Sequence, residues 1–200
     1  MVIWGTSCNF QLEFKCHVIS PFVSAYEKGR TPNPCIYCNR HLKFGKILEE
    51  AQQLGYDYIV TGHYARIVYD QDKKRYLLRK AADPAKDQSY VLYNMTQEQL
   101  AHTIFPLGEL TKPQVRELAE KHGFSNAHKG DSQDICFIPD GDYASFIERR
   151  RGRKFLPGNF IDENGQVLGR HKGIIHYTVG QRKGLGLALP QPMYVKAIDV

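Results

Sequence analysis

The most regular pattern in the chain lies at Leu42, Phe44, Ile47, Leu48, Ala51 and Leu54. These apolar positions recur at helical spacing, and Gly55 stands where such a helix would stop. Directly after it, Tyr58-Ile59-Val60 is a short, apolar, β-branched run followed by Thr61-Gly62-His63-Tyr64. A helix, a buried strand and a glycine-containing loop, in that order, is the rhythm of an α/β parallel sheet. In such sheets ligands gather at the loops beyond the carboxyl ends of the strands, so Thr61-Gly62-His63 stands where a ligand contact is expected.

The remaining pattern fills in around this unit. Phe22, Val23 and Tyr26 share one face of a short helix over Pro21 to Glu27 that ends near Gly29, whereas Met1 to His17 shows no clear period. Ala65 to Tyr69 and Arg75 to Arg79 alternate around the polar tip Asp70 to Lys74, which predicts a hairpin. A polar turn at Asp83 to Asp87 introduces a helix over Gln88 to Asn94, and Thr96 with Gln99 forms a capping box for the next one. Thr111-Lys112-Pro113 opens the clearest helix, with Val115, Leu118 and Ala119 inward and His122-Gly123 at its end. Ser132 to Pro139 reads as a strand leading into a turn, and Tyr143 to Arg149 as a short helix running into the basic stretch Arg149 to Lys154, a solvated helix end or linker.

From Pro157 the texture changes to frequent glycines and short β-like runs at Asn159 to Ile161, Gln166 to Leu168, Ile174 to Tyr177 and Met193 to Val200. The expected architecture is therefore α/β. An atypical or truncated segment (1–20) precedes a partial Rossmann-like parallel-sheet domain (21–152), and a small β-rich domain (153–200), incomplete at its end, follows.

Composition sharpens this only modestly. The 200 residues are 42% hydrophobic and 24% charged, close to the average for globular domains. No run approaches a membrane span, and the N-terminus lacks the features of a secretion signal, so a cytoplasmic protein is expected. Basic residues outnumber acidic ones 27 to 21, giving a net charge of +6, a mild bias toward polyanions such as nucleic acid. Tyr26, Tyr37, Tyr64 and Tyr90 are candidates to stack on bases, although tyrosines of this kind more often pack half-buried.

The concentrated chemistry lies in Gly29-Arg30-Thr31-Pro32-Asn33-Pro34-Cys35-Ile36-Tyr37-Cys38-Asn39-Arg40. Two prolines push Thr31 and Asn33 out of the helical region, which predicts a stiff, extended loop displaying two thiols on a basic rim. Half a zinc site would need a second close pair of ligands, and none exists. A thioredoxin-like pair would sit at a helix start after a strand, and no apolar strand precedes this one. The remaining reading adds Cys136. A pair plus one remote thiol can pass a persulfide sulfur and close a disulfide, and three thiolates can also hold an iron–sulfur cluster. By its immediate context, between Ile135 and Phe137, Cys136 reads as a buried apolar cysteine. Five cysteines without a secretion signal favour reduced, reactive or metal-binding thiols.

Six segments resemble the bacterial-type tRNA-specific 2-thiouridylase family (MnmA/TrmU), in family order: GRTPNPCIYCNRHLKF, DYIVTGHYAR, KDQSYVLY, FPLGELTKPQVRELAEKHG, DSQDICFIPDGDYASFI and PGNFIDENGQVLGRHKGIIHYTVGQRKGLGLA. The resemblance implies a fold of the adenine nucleotide alpha-hydrolase type and ATP-dependent insertion of sulfur at C2 of the wobble uridine of Lys, Glu or Gln acceptor tRNAs. By this match Cys38 is the nucleophilic cysteine and Cys136 carries the persulfide delivered by a sulfur-donor protein. Asn33, Pro34 and Cys35 fall at the target base, Gly62 at an ATP contact (ATP with its Mg ion), and His63, Lys86, Asp87 and Gln88 at tRNA contacts.

Two departures stand out. The family's Ser-Gly-Gly-x-Asp-Ser loop is absent, since the chain has no Gly-Gly dipeptide, so impaired activity of this chain alone is expected. Cys35 also replaces the Asp that many members carry. That substitution raises a 4Fe-4S variant held by Cys35, Cys38 and Cys136. The alternative without chemistry is a tRNA-binding remnant.

Overall fold

A computed structural model of the chain describes residues 7–128, 130, 135–188 and 191–200. Helix α1 (Gln11–Phe14) runs through a π-helical turn at Lys15–Ile19 into α2 (Ser20–Glu27). The stretch without a period is thus helical from Gln11, whose N–H is held by the Asn9 side chain at 3.0 Å. Phe22, Val23 and Tyr26 are buried on one face of α2, as their spacing predicts. After Lys28, Gly29 takes φ +65, and a Cβ there would meet Ile198 Cγ2 at 2.9 Å, so the stop requires glycine.

The expectation of a single extended loop over 29–40 is corrected. Irregular chain ends at Asn33, and α3 (Pro34–Tyr37) opens a helix that continues as a π-helical segment, Cys38–Lys46, and then α4 (Ile47–Gln53). Proline at the first turn gives up an N–H that would have no partner there, and its fixed φ already suits the helix. Both cysteines of the CxxC pair therefore sit on a helix. The π-helical bonding, i to i+5, also advances the chain less per residue than an α-helix. The apolar positions from Leu42 to Leu54 accordingly do not all face inward: Phe44 and Leu48 are buried, whereas Leu54 is 49% exposed.

Among the described residues, those within 1–18 and 35–132 group by contact as one compact unit, and those within 19–34 and 133–200 as a second. This division falls elsewhere than the change of composition near residue 152.

In the first unit, β1 (Ile59–Val60) pairs in parallel with β4 (Thr103–Ile104). The parallel pair fits the α/β expectation, but Val60 is 60% exposed rather than buried. The hairpin forms as its alternation predicts. Strands β2 (Ala65–Asp70) and β3 (Arg75–Lys80) pair antiparallel from Ala65↔Lys80 to Asp70↔Arg75. Gln88 to Asn94 yields only a 3-10 turn at Ser89–Val91. The expected capping box closes at Thr96, and a second one forms at Thr111. Thr96 Oγ1 accepts from Gln99 N–H at the start of α5 (Gln97–Ala101), and Gln114 Oε1 accepts from Thr111 N–H at 2.8 Å at the start of α6 (Lys112–Lys121). Helix α6 buries none of its residues, and Leu118 is 43% exposed, so its caps and composition define it more than packing does. The core joins Phe44, Ala65, Val91, Leu92, Met95, Leu100 and Phe105. Gly108 lies so close to β2 that a Cβ would fall 2.0 Å from the Ala65 carbonyl oxygen.

In the second unit, α7 (Tyr143–Arg151) is capped by Asp142, whose carboxylate accepts from Ser145 N–H at 3.0 Å. Its Ala144 and Ile147 pack with Phe22, Val23, Tyr26, Ile138 and Ile175. The basic run is a helix end, as expected, with Arg151 and Arg153 on the Glu27 carboxylate and Lys154 on Glu148. Strands β5 (Gly158–Ile161) and β6 (Val167–His171) form an antiparallel pair. Ile174–His176 is a 3-10 turn rather than a strand, and 193–200 forms none, since its bonding in the ladder direction is confined to Val195 with Gly180 and Gln181. Of the strand expected over Ser132 to Pro139, residues 132–134 lie outside the described ones, and the rest is a turn closed by Ile138 N–H on the Ile135 carbonyl at 2.8 Å.

Candidate functional site

Three segments of the first unit are tied together around the CxxC helix. Asn39, next to Cys38, is buried and its Nδ2 donates to the Val91 carbonyl at 3.1 Å. A buried amide left without a partner would be costly, so this bond fixes the helix against the 3-10 turn. One residue before that turn, Gln88 grips Tyr64 twice. Its Oε1 accepts from Tyr64 N–H at 3.0 Å, and its own N–H donates to the Tyr64 carbonyl at 2.8 Å. The segment 87–91 thereby holds both the thiol-bearing helix and the turn that carries Gly62 and His63.

His63 packs in a triangle with two phenyl rings, its centroid 5.8 Å from Phe44 and 5.7 Å from Phe105, which are themselves in contact at 5.9 Å. Its Nδ1 is 2.8 Å from Thr61 Oγ1. Burial, and then the positive charge of Lys43, push its pKa from 6.5 down to about 4. At neutral pH His63 is therefore an uncharged hydrogen-bonding group, not a cation for a phosphate. The unfolded chain binds this proton near pH 6.5 and the folded chain only near pH 4. The stabilisation is complete above pH 6.5 and is lost as pH falls through that window. Urea midpoints are expected to fall between pH 6.5 and 4, and His63→Gln should flatten that part of the profile. An identical slope in the variant would show that His63 is not responsible.

Gly62 has no positive φ, and a Cβ on it would make only an ordinary contact, 3.5 Å from Leu107 Cδ1. Local packing does not demand glycine there.

Besides His63, the residues matched to tRNA contacts are Lys86, Asp87 and Gln88. Asp87 accepts from Ala81 N–H at 2.8 Å and from the Ser89 hydroxyl at 2.7 Å. Burial alone would raise its pKa, but the hydrogen bonds from Ser89 and Ala81 outweigh it and hold the carboxyl below its usual range. Asp87 and Gln88 thus shape the backbone around the turn. Lys86 is half-buried beside them.

Cys35 is exposed and Cys38 half-buried, and both lie in the first unit. Asn33 and the buried Pro34, matched to the target base, fall by contact in the second. Cys136 also belongs to the second unit and is exposed on the turn at 135–138. The expectation of a buried apolar cysteine is corrected, because a turn breaks the strand that would have covered it. Among the described residues no three His, Cys, Asp or Glu side chains are grouped to hold a metal ion. No described helix is long and apolar enough to cross a membrane.

The roles of Asn39, Phe44 and Phe105 at this site are missed by the sequence reading, because the bond of Asn39 to Val91 and the packing of the two phenyl rings on His63 are purely tertiary.

Comparison with known proteins places these features in context. The tRNA methyl transferase HUP-domain model matches residues 2–140, and the tRNA methyl transferase PRC-barrel-domain model matches residues 144–200. The chain is 57% identical over 190 residues to the tRNA-specific 2-thiouridylase MnmA of Lachnoclostridium phytofermentans, covering 95% of this chain and 53% of that protein. It is 56% identical over 191 residues to MnmA 1 of Caldanaerobacter subterraneus subsp. tengcongensis and to MnmA of Acetivibrio thermocellus, covering 96% of this chain and 52% and 53% of theirs. The chain spans about half the length of the curated relatives it matches.

Proposed function

The chain belongs to the tRNA methyl transferase HUP-domain family, and on that premise we propose that it supplies the two sulfur-handling cysteines of a cytoplasmic tRNA 2-thiouridylase. The observation that carries this reading is the bonded frame just described, in which Asn39 and Gln88 join the Cys38 helix and the Gly62–His63 turn through one segment. Thiol chemistry and nucleotide chemistry need such a common frame.

The proposed reaction has four steps and a closing reduction. ATP, with its Mg ion, adenylates O2 of the wobble uracil, releasing pyrophosphate, with Gly62 leaving room for the nucleotide. A donor protein delivers sulfur to Cys136 as a persulfide. The terminal persulfide sulfur forms a bond to C2 and AMP departs with the C2–O electron pair. The Cys38 thiolate then attacks the Cys136 sulfur, leaving the transferred sulfur on C2 and closing a Cys38–Cys136 disulfide, which an external thiol reduces. Asn33, Pro34 and Cys35 border the target base, and Lys86 and the neutral His63 contact the tRNA. Asp87 and Gln88 act through the backbone they hold. No observation favours the alternative in which Cys35, Cys38 and Cys136 hold an iron–sulfur cluster.

The test combines the chain with tRNA bearing a wobble uridine, Mg-ATP and a persulfide donor, with and without the portion of a relative that it does not match. Retention of the tRNA on a filter by the chain alone is expected. AMP and 2-thiouridine, detected by mass spectrometry, are expected once the other portion is supplied. Equal retention of a tRNA with cytidine at that position, and no 2-thiouridine in the complemented mixture, would sink the reading. Retention without any product would leave only a tRNA-binding module.

A further inference from the structure

Beside Cys38 three aromatic rings form a ladder that the reaction above does not use. The Tyr37 and His41 rings are 6.4 Å apart between centroids and 13° from parallel, and His41 and His17 are 5.0 Å apart and 19° from parallel. All three belong to the same compact unit. Tyr37 and His41 are thus neighbours across one turn of the helix that carries Cys38. The ladder is open at its ends. Tyr37 is 40% exposed and His17 is exposed, and among the described residues neither has a further ring against it. Rings that served only to join two helices would gain most by burying their outer faces. Burial, the facing His17 and Arg40 also lower the His41 pKa, which favours an uncharged ring in the middle of the stack. Arg40 is exposed on the same helical segment and Lys43 half-buried, so cations suited to a phosphate backbone flank the rings.

Resting on the thiouridylase reading, we propose that the outer face of Tyr37 is a stacking seat for one base of single-stranded RNA, the neighbour of the base presented to Cys38. An enzyme that works on one base must take it out of its stack, and a ring that receives the adjacent base offsets part of that loss. Stacking reads no hydrogen-bond pattern, so the seat tolerates any flanking base. His41 and His17 back the tyrosine and hold it at a fixed angle.

The experiment uses the whole chain and a fluorescent heptanucleotide RNA with a central uridine, together with two versions carrying an abasic ribose on the 5′ or the 3′ side. Affinities are measured by anisotropy for the wild type, Tyr37→Ala and Tyr37→Phe. Tyr37→Ala should weaken binding of the intact RNA by about five- to a hundredfold, whereas Tyr37→Phe, which keeps the ring, should stay near the wild type. One abasic RNA should bind the wild type as weakly as the intact RNA binds Tyr37→Ala, with no further loss when the two changes are combined. A structural role for Tyr37 would not show this coupling. An unchanged affinity in Tyr37→Ala, an equal loss with all three RNAs, or no measurable binding by the wild type overturns the seat. The coupling with no 2-thiouridine in the complemented assay would leave the seat standing and remove the thiouridylase reading; thiolation without coupling would do the reverse.

Discussion

Cys38→Ser should reduce 2-thiouridine formation to background, a loss on the order of a thousandfold or more, while tRNA retention stays near the wild-type value. The proposed role needs a thiolate that attacks a sulfur–sulfur bond and ends in a disulfide. A serine hydroxyl stays protonated at neutral pH and cannot form that bond. The substitution is close to isosteric, and Cys38 is half-buried rather than part of the apolar core, so the frame built by Asn39 should survive it. The assay is the complemented one, with AMP and 2-thiouridine measured together. Cys136→Ser should lose product as well, but for another reason: it should also fail to accept sulfur from the donor, which the intact protein mass reports. Cys35→Ser should keep product if Cys35 only borders the base. Substantial turnover by Cys38→Ser would remove that residue from the reaction, and loss of product in Cys35→Ser would revive a role for all three thiols.

The chain announces its local structure more readily than its site. The hairpin at β2–β3, the cap at Thr96 and the helix start at Thr111 depend on residues within a few positions of one another, and all three form as read. Strand β4 is only Thr103–Ile104, too short to carry a period, and it exists because it pairs with β1. The proline-rich segment misleads in an instructive way. The same rule that makes Asn33 extended makes Pro34 a good first residue of a helix, and the CxxC pair follows the second tendency. Cys136 shows the opposite limit, since its apolar neighbours suggest burial and the turn at 135–138 exposes it. The resemblance places Asp87 and Gln88 at tRNA contacts, and within the chain their side chains also bond to Ala81, Ser89 and Tyr64. Such roles arise from long-range pairing, which no local spacing records.

Phe44→Ala should destabilise the first unit by about 3–5 kcal/mol, the usual cost of deleting a fully buried phenyl ring. Phe44 is wholly buried, and its ring stands edge-on to Phe105 at 5.9 Å and tilted to His63 at 5.8 Å. Its loss removes transfer free energy, aromatic contacts and one wall of the histidine cage together. Phe44→Leu fills most of the space and should cost less, so it keeps the test usable if the alanine variant does not fold. Urea unfolding gives the stability change. The imidazole proton shifts of His63 give a second readout that ordinary core damage would not move. With the wall gone, water reaches the ring and its pKa should climb from about 4 toward 6.5, narrowing the pH window of the stability loss from below. A large stability loss with an unchanged His63 titration would mean that Phe44 supports the fold without shaping the site. A shifted titration in Phe44→Leu, at modest stability cost, would show that the same ring that packs the core also keeps His63 neutral beside the Cys38 helix.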